Sequence, residues 1–141
     1  MKLNAVYFEI LKFQESNLER LRREFALTVI ASPRDLSEDD LKQASILFAP
    51  LGYMWDEDIF VRCPNLKVVA SNTTGHPHID LVSAERRGIK VVTLKGETEF
   101  LNEITPTAEH SIGLMLALTR NLVPAVDAVR RGEWDRRPYG G

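Results

Sequence analysis

The residues with the type and spacing to do chemistry concentrate between Asn72 and His78, in the run NTTGHPH. Thr73, Thr74 and Gly75 put two hydroxyls and a glycine next to each other. Successive backbone N–H groups around Thr74 and Gly75 can form a nest for a small anion such as a carboxylate. The competing reading is a glycine needed only for a tight turn, and local sequence does not separate the two. His76, His78 and His110 are the only histidines. Two histidines two residues apart, with no third ligand in sight, make a poor metal site, and none is expected. His110 follows Glu109, but neighbours on a helix point about 100° apart and cannot form the hydrogen-bonded pair that acid–base chemistry needs. His110 is expected to pack at an interface.

Other reactive groups have plainer readings. Cys63 is the one cysteine, so it has no internal disulfide partner and favours a reducing, cytoplasmic setting. Its place before Pro64 and an apolar run suits a small core residue better than a nucleophile. The acids of Ser37-Glu38-Asp39-Asp40 suit a helix N-terminus better than a metal. Asn72-Thr73-Thr74 matches a glycosylation sequon, which has no meaning without secretion. The sequence contains no P-loop, GxSxG, CxxC, HExxH or GxGxxG motif.

The elements that must position this loop follow from periodicity. Leu66 to Ser71 is apolar and β-branched enough for a buried strand. Asp80 can cap a helix that ends at Arg87, with Gly88 as the left-handed residue that stops it. Lys90 to Thr93 resumes as a strand. Upstream, strands are expected from about residues 5, 27 and 46. The helices between them are capped by Ser16 or Asn17, by Ser37, and by Asp56. Strict β-α alternation at about 20-residue spacing predicts an open parallel sheet covered on both faces. Loops at strand C-termini are where such sheets place ligands.

After Gly96 the pattern changes. Glu97 to Asn102 reads as a polar link. Thr105-Pro106 starts a long helix whose Ile112–Leu118 stretch is apolar all round and so needs cover. Leu122 to Arg131 is a further helix, stopped at Gly132.

Composition bounds the function. The 141 residues carry 18 basic and 20 acidic side chains and 44% apolar residues. This balance gives no electrostatic reason for nucleic acid or an anionic membrane as partner. The start has no secretory pattern, and no apolar run approaches the ~20 residues of a membrane span. Ser71 to His76 superficially resembles the hydroxyl-and-glycine phosphate loops of flavodoxins. Those follow the first strand, where this chain has LKFQES, so a flavin is not expected. A phospho-receiver fails because Glu9 stands alone after the first strand.

Three segments together carry a more specific resemblance: LKVVASNTTGHPHID (66–80), AERRGIKVV (84–92) and TAEHSIGLMLALTRN (107–121), followed by Gly132-Glu133-Trp134. They resemble the N-terminal substrate-binding domain of the D-isomer-specific 2-hydroxyacid dehydrogenases. The resemblance implies a flavodoxin-like substrate-binding domain over residues 1–101. It makes residues 102–141 an interdomain helix and the start of an NAD(P)-binding Rossmann domain. It implies that Thr73, Thr74 and Gly75 give backbone N–H groups to a substrate carboxylate. Leu51, Gly52 and Tyr53 are implied near the substrate's variable group, in a loop without the serine or arginine of several members.

The family's catalytic arginine, glutamate and histidine and its nucleotide loop lie beyond the point matching Gly141. The chain is therefore expected to be a fragment that holds no cofactor and turns nothing over. The intact protein would use NAD or NADP on a small 2-hydroxy or 2-keto acid. A homodimer through the Ile112–Leu118 helix is expected. The alternative is a non-enzymatic ligand-sensing or corepressor-type module.

Overall fold

The computed structural model describes residues 2–140. Two compact units divide the chain, Met1–Gly96 and Glu97–Gly141.

The first unit is a five-stranded, all-parallel sheet. Its strands are β1 (Asn4–Phe8), β2 (Ala26–Ile30), β3 (Ile46–Phe48), β4 (Val68–Ala70) and β5 (Lys90–Val92), in spatial order β2-β1-β3-β4-β5. This is the doubly wound, flavodoxin-like order. Helices α1 (Glu15–Glu24), α2 (Glu38–Gln43), α3 (Glu57–Phe60) and α4 (Leu81–Arg86) connect the strands. The chain steps one way from β1 to β2 and the other way in every later crossover. Right-handed connections therefore put α1 on one face and α2, α3 and α4 on the other. Val6, Phe8, Leu47 and Val69 point into the second layer and meet Leu41, Phe60, Ile79 and Ala84 there. On the opposite face Tyr7 packs with Phe13 and Phe48, ring centroids 5.1 and 6.3 Å away.

Registers place the ends of β3 and β4 side by side. Leu47 pairs with Val69 and Phe48 with Ala70. The loops that follow these two strands are therefore neighbours, which brings Pro50–Met54 beside Asn72–His78.

Several caps sit where the sequence puts them. The Ser37 hydroxyl accepts from the Asp40 amide while the Asp40 carboxylate accepts from the Ser37 amide, a reciprocal capping box. The Asp80 carboxylate accepts from the amides of Val82 and Ser83, both at 3.1 Å. Asp80→Ala is expected to lower stability by about 1 kcal/mol, read from a urea midpoint that shifts without a change in slope. Gly88 ends α4 at φ +69°, a value that penalises any side chain.

Other expectations need correction. Helix α1 begins at Glu15 after Gln14, not after Ser16 or Asn17, so those residues lie inside the helix. No side chain caps it. Asp56 precedes α3 without making a side-chain cap bond. The Glu97–Asn102 link contains a short helix, α5 (Thr98–Asn102).

In the second unit α5 is followed by α6 (Pro106–Thr119) and α7 (Leu122–Arg130). Pro106 takes the first helical position, but the Thr105 hydroxyl donates to the Glu109 carboxylate and caps no amide. No residue of α6 is buried, and Leu118 is 77% exposed. A groove of about 370 Å³ beside α7 is lined by Ala125, Ala128, Val129, Trp134 and Tyr139. Among the described residues, no single helix is long and apolar enough to cross a membrane.

Candidate substrate-binding site

The loop after β4 hangs between two anchors. At its start the Ser71 amide donates to Val92 O at 2.8 Å and the Leu94 amide to Thr73 O at 2.9 Å, both extending the β4–β5 pairing. At its end, Ile79 forms a parallel bridge with Trp55. The Trp55 amide donates to His78 O and the Asp80 amide to Trp55 O, each at 2.9 Å. The loop is thereby tied to the segment that follows β3.

Between these anchors the backbone is open. Among the described residues, the amides of Asn72, Thr73, Thr74, Gly75 and His76 donate to no protein acceptor. Asn72, Thr74 and Gly75 are exposed. The Thr73 hydroxyl donates to Gly75 O at 2.6 Å and lies 2.9 Å from the Ser71 hydroxyl. Thr73 thus spends its side chain on the loop's own shape and leaves its amide without a protein acceptor. None of Asn72–His76 has positive φ, so the loop is not a nest of alternating right- and left-handed residues. It offers a run of free amides without that geometry.

Gly75 is not held in a conformation that needs glycine. Its φ is not positive, and a Cβ built on it would meet only Pro77 Cδ, at 3.6 Å, an ordinary contact. No tight turn in the fold demands glycine there.

The neighbouring loop differs. Gly52 has φ +86° and supplies a turn that needs glycine. Leu51 and Met54 are each 58% exposed. Tyr53 is half-buried and packs against the core. Trp55, 1% exposed, donates its indole N–H to Pro50 O at 3.3 Å and closes the loop from below.

His76 is half-buried, whereas His78 is 5% exposed and bonded within the loop. His110 lies on α6, where the carboxylate of Glu109 accepts from Thr105. Among the described residues no three His, Cys, Asp or Glu side chains converge. Cys63 is buried, and burial pushes its thiol up to about 11, which keeps it protonated at neutral pH.

Glu57, on α3, takes a two-pronged bond from Arg87 and a further one at 3.0 Å from Arg86. Those guanidiniums, Arg87 foremost, lower its carboxyl from 4.5 to about 2. The depressed value means the bridge stabilises the fold above about pH 4.5 and is lost as pH falls towards about 2. The stability gap between the wild type and Glu57→Gln is expected to close over that interval, as read from urea midpoints. A gap that stayed constant would show that the bridge contributes nothing on folding.

The first unit is thus an open, parallel, doubly wound α/β domain with an amide-lined loop at a strand end, the place where such sheets hold ligands. Comparison with known proteins supplies the family. The model for the D-isomer specific 2-hydroxyacid dehydrogenase catalytic domain matches residues 5–110, and the chain belongs to this family. It is 32% identical over 128 residues to a glyoxylate reductase of Pyrococcus furiosus, covering 87% of this chain and 36% of that protein. It is also 32% identical over 103 residues to a D-3-phosphoglycerate dehydrogenase of Methanocaldococcus jannaschii, covering 73% of this chain and 19% of that protein. The chain therefore spans well under half the length of the curated relatives it matches.

Among solved structures, a D-lactate dehydrogenase from Aquifex aeolicus complexed with NAD and lactic acid superposes with a TM-score of 0.79 at 19% identity. The match covers 94% of this chain and 38% of that one. At that identity the likeness is one of fold.

The sequence missed the role of Ser71, which joins the loop's own bonds to the end of β3. A buried serine closing a strand gives no local signal of a partner 22 residues away.

Proposed function

We propose that this chain is the substrate-binding part of an oxidoreductase that transfers a hydride between NAD or NADP and a small D-2-hydroxy acid or 2-keto acid. The amides of Thr73, Thr74 and Gly75 bind the substrate carboxylate. Leu51 and Gly52, with the backbone around Tyr53, lie beside the substituent on the reacting carbon. The observation that carries this is Gly75, a glycine that the fold itself does not require, in a row of free amides. An anion approaching closely enough to meet those amides supplies the missing reason. The reductases and dehydrogenases among the relatives favour this reading over a corepressor-type module.

The dinucleotide is held by another part of the protein, since no GxGxxG motif occurs in this sequence. Domain organisation follows the same reading, with residues 1–101 as the substrate domain and 102–141 as the interdomain helix and the start of a Rossmann domain. The apolar Ile112–Leu118 stretch, exposed along α6, is covered in a homodimer by a second copy of the chain. A single unpaired thiol fits a cytoplasmic setting.

The 141-residue chain is expected to leave NADH absorbance unchanged with glyoxylate, pyruvate or hydroxypyruvate, while binding those acids. Turnover by this chain would contradict the assignment of the chemistry to another part of the protein.

A further inference from the structure

His78 is the one buried titratable side chain in the loop, and its hydrogen bonds fix its state. Its Nε2 lies 3.2 Å from the Ser71 hydroxyl and 3.4 Å from Ala49 O. A carbonyl only accepts, so the contact with Ala49 requires a proton on Nε2. The Ser71 hydroxyl has other acceptors in reach. The Thr73 proton goes to Gly75 O, so the Ser71 proton goes to Thr73 Oγ1 or, at 3.0 Å, to Ala49 O. With Nε2 protonated by the demand of the Ala49 carbonyl, the Ser71 hydroxyl accepts from the imidazole. His78 thus carries a proton on Nε2. Its buried Nδ1 has no partner among the described residues.

This network has a specific reach. Ser71 is the first residue after β4, His78 is the last of the loop, and Ala49 is the last before the Pro50–Met54 loop. The side-chain bonds pin both ends of the candidate site to each other and to β3. Gly75 O is held from inside by Thr73, which itself leans on Ser71. Leaving a ring nitrogen buried and unpaired costs free energy that an apolar residue of similar size would avoid. A histidine at this position therefore needs a reason beyond filling space.

We infer that Ser71 and His78 are positioning residues for the carboxylate-binding amides. With the His78 Nε2 proton facing Ala49 O, they set the spacing of the Thr73–Gly75 backbone from the end of β3. This inference rests on the substrate reading proposed above and adds to it a support for the binding loop that never touches the ligand.

Two measurements on the chain separate the inference from that reading. Imidazole nitrogen NMR of the wild type, without ligand, is expected to show a protonated Nε2 on His78. An Nε2 without a proton would overturn the inference whatever the loop binds. Glyoxylate titrations followed by the amide signals of Thr73–Gly75 then compare the wild type with Ser71→Ala, His78→Leu and His78→Gln. Glutamine can place an amide donor near the position of Nε2.

Ser71→Ala and His78→Leu are expected to weaken binding by about threefold to tenfold and to speed hydrogen exchange of the Leu94 amide, which bonds to Thr73 O. His78→Gln is expected to recover most of both. Equal affinity and equal exchange in all four proteins would refute the positioning role. If His78→Leu fails to fold, Ser71→Ala and the Nε2 proton decide the matter. If the wild type binds no glyoxylate, the carboxylate reading falls, and with it this inference, whereas the Nε2 proton and Leu94 exchange report separately on the network.

Discussion

Gly75→Ala is expected to weaken 2-keto acid binding at least tenfold, about 1.4 kcal/mol, while leaving the fold as stable as before or slightly more so. The two halves of this expectation come from different physics. The Gly75 backbone lies outside the left-handed region, and the new methyl meets only Pro77 at ordinary contact distance. Alanine at such a site restricts the unfolded chain and typically gains about 0.4–1 kcal/mol. The same methyl projects from a backbone whose amide is needed by the ligand, and it bars close approach. Urea unfolding and a binding titration on one preparation read both halves. Lost stability with unchanged binding would make Gly75 a structural glycine after all.

Trp55→Ala is expected to destabilise the chain by about 3–5 kcal/mol, the usual loss when a large buried aromatic is removed. Trp55 is 1% exposed, and its ring centroid lies 5.6 Å from that of Phe8 in β1. Its indole closes the Pro50 loop, and its backbone bonds to His78 and Asp80. The substitution leaves a cavity and frees Pro50 O at once. Because small domains hold only about 5–15 kcal/mol in total, the variant is expected to be partly unfolded at moderate temperature. Trp55→Phe keeps the ring but removes the indole donor and is expected to lose about half as much. A loss below about 1 kcal/mol in Trp55→Ala would mean that the indole does not carry the packing at the joint between the two loops.

Much of this architecture was legible in the sequence because its causes are local. The spacing of apolar, β-branched runs located all five strands. Ser37 with Asp40, Asp80 and Gly88 were readable as caps and a stop, since each acts within four residues of itself. Where competition between near-equal local choices decides, the reading slipped. Gln14 rather than Ser16 precedes α1, and Thr98–Asn102 coils into a helix despite its polar composition. The candidate loop could be located but not interpreted. Whether Gly75 serves a turn depends on the sign of one dihedral. The Ser71 and His78 bonds to Ala49 span 22 and 29 residues, and no local pattern records them. Nor does the composition of His-Pro-His show that its second histidine is a buried hydrogen-bonding joint.

The most direct test of the carboxylate site is a heteronuclear NMR titration of the chain with glyoxylate, with acetaldehyde as the control that keeps the carbonyl and lacks the carboxylate. The amide signals of Thr73, Thr74 and Gly75 are expected to move together and saturably with glyoxylate and to stay in place with acetaldehyde. Movement with both compounds, or shifts confined to residues outside Pro50–Met54 and Asn72–His78, would contradict a carboxylate site at this loop.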